Sequence, residues 1–124
     1  MRIVEIGTGT VRRPPVEGGP EVELLVGGGE ADAQGLAAAH ITIPPGGGMP
    51  EHDHGESAAL LAVQRGRITM RSGDDERALP VGTLAVIGAG ERVSVSNPDG
   101  RAAVLLAVFA PPAFGSRVAS WPEA

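Results

Sequence analysis

Turn-forming residues interrupt this chain at intervals of about eight to twelve residues, which limits what it can fold into. Gly27-Gly28-Gly29, Pro44-Pro45-Gly46-Gly47-Gly48, Gln64-Arg65-Gly66, Gly88-Ala89-Gly90 and Asn97-Pro98-Asp99-Gly100 all favour tight turns. Between them lie short apolar or alternating runs: Val22 to Val26, His40 to Ile43, Ala58 to Val63, Arg67 to Arg71, Leu84 to Ile87, Arg92 to Ser96 and Ala102 to Phe109. A polar Gly-Asp hairpin falls at Ser72 to Glu76. Ala58 to Val63 is continuously apolar and predicts a strand buried on both faces. The one helical candidate, Ala31 to Ala39, is Ala-rich but interrupted by Gly35. The tail after Pro111 is expected to be a surface strap. Many short strands joined by turns indicate an all-β sandwich or barrel, between which periodicity does not choose.

The 124 residues, with no linker or shift in composition, predict one domain over 1–124. A hydrophobic fraction of 42% against 20% charged residues supplies enough apolar surface to close a core despite 19 Gly and 11 Pro. With only two Phe, one Trp and no Tyr, that core and any cavity in it are expected to be aliphatic. A net charge of -5 and the lack of a basic run argue against a nucleic-acid partner. The longest apolar run, Ala102 to Ala113, is broken by two prolines and is too short to span a bilayer, so no membrane partner is expected. Met1 to Thr10 lacks the pattern of a signal peptide, and the absence of Cys, which excludes disulfides and thiolate ligands, is compatible with a cytoplasmic location.

The concentrated chemical signal is Gly46-Gly47-Gly48-Met49-Pro50-Glu51-His52-Asp53-His54-Gly55-Glu56. Histidines at i and i+2 on a strand share a face, with Cα atoms roughly 6.5 to 7 Å apart, so that both imidazoles can converge on one ion or ligand. Asp53 between them should point away. Nothing else in the chain makes a catalytic set: there is no Gly-x-Ser-x-Gly elbow, no phosphate loop, and Asp74, Asp75 and Glu76 read as a solvated turn.

This stretch resembles the first motif of the cupin superfamily: Gly, five residues, His-x-His, three or four residues, Glu, then a Gly. Gly46, His52, His54 and Gly66 fit it. Gly82, Gly90 and Asn97 fit the second motif, with Gly88 where a Pro is usual. The resemblance spans about residues 37 to 109 and implies a small single-barrel member with a double-stranded β-helix, or jelly-roll, fold. It also implies a homodimer and, in complete members, a metal held by both His-x-His histidines, the Glu and a later His.

Two of those four ligand positions are lost here. The Glu position falls on Ala58 or Ala59, and the later His position on Val93. Metal sites of this type draw on three or four protein ligands. A divalent transition metal such as Zn, Fe, Mn or Ni is therefore expected to be held weakly or not at all. Glu56, two residues past His54, and His40, on an earlier strand, are the possible substitutes. Without a complete site, Ala59, Val93 and Val95 are expected to line an apolar lumen suited to a small-molecule ligand. Three functions remain: a non-catalytic or accessory small-molecule-binding barrel, a dioxygenase- or isomerase-like enzyme with an atypical His-based site, and a structural dimer module.

Overall fold

The computed structural model describes residues 1–29 and 35–124. Among these residues ten strands form in chain order: β1 Val11–Arg12, β2 Glu21–Val26, β3 Ala37–Ile43, β4 Gly48–His52, β5 Ala58–Arg65, β6 Arg67–Ser72, β7 Asp75–Pro80, β8 Leu84–Ile87, β9 Val93–Ser96 and β10 Ala103–Ala110. A helix, α1 Ala113–Ala119, follows them. The helical candidate Ala31 to Ala39 lies partly outside the described residues, and its described end, Ala37 to Ala39, is strand.

The strands make two antiparallel sheets, one ordered β1-β2-β3-β10-β5-β8 and the other β4-β9-β6-β7, which face each other as a jelly-roll barrel. Side chains alternate across each strand, so one face of each sheet supplies the core. Ile43, Ile68, Leu105 and Val93 are each at most 2% exposed. Asn97, 1% exposed, fastens the end of β9 to the turn after β3. Its Nδ2 lies 3.1 Å from the Ile43 carbonyl, 3.3 Å from that of Pro44 and 2.7 Å from that of Arg101.

The expectation that Ala58 to Val63 is buried on both faces is corrected. Ala59, Leu61 and Val63 face the core, while Ala58 is exposed and Leu60 is 39% exposed. Register carries this apolar outer face across the larger sheet, in one row through Val86, Leu60, Val108 and Ala38 and in the next through Leu84, Ala62, Leu106 and His40. Leu84 is 60% exposed and Val86 78%. A second departure lies at the end of the chain, where the expected strap is in fact α1, with Phe114, Gly115 and Val118 buried against the barrel.

Candidate functional site

His52 is the last residue of β4 and His54 follows it in the connection to β5. Both line an apolar lumen of about 60 Å³ between the sheets. Their rings stand edge to face with centroids 5.0 Å apart. The Nδ1 atom of His52 is 2.9 Å from the Pro50 carbonyl oxygen. Nδ1 of His54, by contrast, is buried and has no hydrogen-bond partner. Burial first, then the neighbouring His52 ring and the Arg117 guanidinium, push the His54 pKa down to about 4. Its imidazole is therefore neutral near pH 7, with one nitrogen donating and the other accepting.

The rest of the wall is apolar, and the expectation of a purely aliphatic lining fails. Phe109, Phe114 and Trp121, the chain's only aromatic residues, all border the lumen. Phe114 lies 4.8 Å from both the His54 ring and Phe109, and 6.2 Å from Trp121. Two of the three come from the C-terminal segment, so α1 forms the cover over the histidines. Several contacts hold it there. Ser57, with no exposed surface, donates from Oγ to the Pro111 carbonyl at 2.5 Å and accepts the Phe114 N–H at 3.1 Å. Arg117 donates to the Asp53 carbonyl at 3.0 Å and lies over the Phe114 ring. Gly115 packs so closely on the Gly27 carbonyl that any Cβ there would overlap it. Beyond the helix, Arg12 donates to the Trp121 carbonyl at 2.8 Å. Sequence reasoning missed this cover; its only local signal is the placement of scarce aromatics after the last strand.

Of the other residues singled out from the sequence, Val93 and Val95 border the lumen. Ala59 is buried on the same inner face, opposite the lumen residues Ile87 and Phe109, without itself bordering the space. Ala58 is on the outer face, which leaves Ala59 as the position corresponding to the missing Glu. Val93 sits directly opposite His52 in the β4–β9 pair. The two proposed substitute ligands lie elsewhere. Glu56 is exposed in the turn after His54. His40 is on the outer face, because its neighbours Ala39 and Ile41 take the inward positions of β3.

These residues do not fit a resident transition metal. Among the described residues no three His, Asp or Glu side chains are placed to hold an ion. The nearby carboxylates are engaged elsewhere: Glu51 accepts from Arg92 at 2.7 Å, and Asp53 accepts the Gly55 N–H at 2.8 Å. Two imidazoles in an apolar wall are half of a usual donor set.

Residues 39–109, more than half of the chain, match the protein family described as Cupin domain. No curated protein matches the sequence. Among solved structures, a predicted oxalate decarboxylase of Thermotoga maritima aligns with a TM-score of 0.77 at 20% identity, over 89% of this chain and 99% of that one. KdgF of a Halomonas species gives 0.74 at 14% identity, over 90% and 94%. The cupin domain of Cnp3 from Schizosaccharomyces pombe gives 0.66 at 16% identity over 74% of this chain, which spans only 61% of that one. Likeness at these identities concerns the fold alone. Among the described residues no helix is long and apolar enough to cross a membrane.

Proposed function

This chain belongs to the cupin family, and from that premise we propose that it binds a small neutral molecule in its lumen, with no resident catalytic metal. The observation that carries this reading is the buried, unpartnered Nδ1 of His54 in a wall that is otherwise almost wholly apolar. An unmet buried polar group costs about 1 to 3 kcal/mol, and a ligand with one hydrogen-bonding group and an apolar remainder would recover that cost. The lumen alone is small, with room for two or three non-hydrogen atoms at roughly 30 Å³ each.

The test uses untagged protein. Titration with ethanol should shift the His54 ring resonances saturably in NMR spectra, and elemental analysis should find well under one transition-metal ion per chain. One tightly held ion per chain, lost in His52→Ala, would overturn this reading in favour of a metal-dependent enzyme with an atypical site.

A second proposal, a homodimer, is supported by the outer face of the larger sheet. The rows through Leu60, Leu84 and Val86 offer roughly 300 Å² of flat apolar sheet. That is under half of the ~800 Å² that a standard interface takes from each partner. The N-terminal segment supplies more: Glu23 pins it to the same face by accepting the N–H of Gly7 at 2.8 Å and of Gly9 at 2.6 Å, and it exposes Met1, Ile3 and Ile6. Light scattering at tens of micromolar should give twice the chain mass, falling to one chain for Leu84→Glu with Val86→Lys. A wild-type monomer would end this proposal.

A further inference from the structure

β7 and β8 are consecutive in the chain, yet they do not pair. From the turn at 81–83 they diverge, β7 to the edge of the smaller sheet and β8 to the edge of the larger one. A groove of about 290 Å³ lies between these two edges. Its far end is tied by Ser72, whose Oγ donates to Glu91 at 2.6 Å. Met70, Ile87 and Val93 border the groove and also border the lumen from the other side, so these three side chains are the wall between the two spaces. The wall includes Met70, whose flexible, unbranched side chain can change rotamer without a change of backbone. Over the histidines the lumen is covered by α1.

We infer that the β7–β8 seam is the lumen's entrance, and that the ligand is an uncharged straight-chain molecule with a hydroxyl, carbonyl or amide head. This rests on the reading of the lumen as a ligand site and extends it to a ligand class. Neither space alone reaches the about 300 to 1,000 Å³ usual for an organic ligand, but together they reach its lower end. That space holds roughly ten non-hydrogen atoms at about 30 Å³ each. The head enters the lumen and meets His54, while the chain trails past Met70 and Val93 and along Leu79 and Ala85 in the groove. The groove's polar groups are already paired with one another. Arg77 donates to Asp75 at 2.8 Å, and Glu91 accepts from Ser72 and from the Gly88 N–H. With these groups paired, the groove offers an uncharged chain its apolar floor, and the apolar lumen disfavours a charged head.

Calorimetric titration of the full chain with primary alcohols from ethanol to 1-decanol tests this directly. Affinity should rise about four-fold per added methylene and level off near octanol. Ala85→Phe, at a position that borders the groove and not the lumen, should weaken 1-octanol at least ten-fold and leave ethanol unchanged. Ser72→Phe, at the groove's outer end, makes the same test if Ala85→Phe does not fold. A flat chain-length series, or 1-octanol binding unaffected by either block, would overturn the seam as entrance while ethanol binding kept the lumen reading intact. If no alcohol binds, both readings fail.

Discussion

Replacing Asn97 with Ala should lower the stability of this barrel by about 3 kcal/mol, the largest loss expected of any single side chain outside the apolar core. The amide is 1% exposed and its Nδ2 serves three main-chain carbonyls, those of Ile43, Pro44 and Arg101. Its Oδ1 accepts the Asp99 N–H at 3.0 Å. Its main chain joins the same junction, with Gly46 N–H donating to the Asn97 carbonyl at 3.0 Å and Asn97 N–H to that of Gly47 at 2.8 Å. Alanine keeps the main-chain bonds and removes the rest, so the carbonyls of Ile43, Pro44 and Arg101 each lose a donor and space is left where the amide stood. For a domain of this size the midpoint of thermal unfolding should fall by about 10 °C, as followed by circular dichroism. Asn97→Asp should be no better near pH 7, since it sets a charged acceptor against other acceptors. A fall of only a degree or two for Asn97→Ala would show that the junction is held by its main chain alone.

The double variant Val93→His with Ala59→Glu should raise affinity for a divalent transition metal by about 100-fold or more over wild type. Val93 faces His52 directly across the β4–β9 pair, and directly opposed residues lie about 4.5 to 5.5 Å apart on one face. Ala59 is inward on β5 and Ala58 outward, so the carboxylate belongs at Ala59. Without metal, the introduced imidazole and carboxylate are buried polar groups in an apolar wall, and the variant should melt below wild type. Added Zn should then raise its melting temperature, while leaving that of the wild type nearly unchanged. If the double variant binds no more tightly than wild type in equilibrium dialysis, then side chains placed at 59 and 93 do not converge with His52 and His54 on one point.

The contrast between these positions shows what a sequence of this kind makes legible. The all-β architecture was readable because its signals are local, and the choice of a barrel came from the two motifs. Turn residues punctuate the strands, and Gly46 takes a φ of 71° that a side chain would strain, at the position where the motif spacing expects glycine. The face of His40 was readable from the alternation of Ile41 and Ile43. The choice between Ala58 and Ala59 was not, because two adjacent alanines look alike until strand register assigns one to each face. Ala58 to Val63 misled for a related reason: an unbroken apolar run does not say whether the solvent side of its strand will be covered by helix, sheet or a second subunit. The cover was the largest omission. α1 has seven residues, a glycine inside it and no side-chain N-cap, so little in its own sequence specifies a helix. Its position comes from contacts with Ser57, Asp53 and Gly27, all more than fifty residues away in the chain.

The gathering of every aromatic ring at one end of the barrel also gives the molecule its own spectroscopic handle. Trp121 is the only indole in the chain and stands at the lumen's covered end, against Phe114 and held by Arg12. Its emission is free of overlap from any other tryptophan or tyrosine. A shift in that single band therefore reports the polarity beneath the cover, and separates a helix that stays seated from one that lifts away.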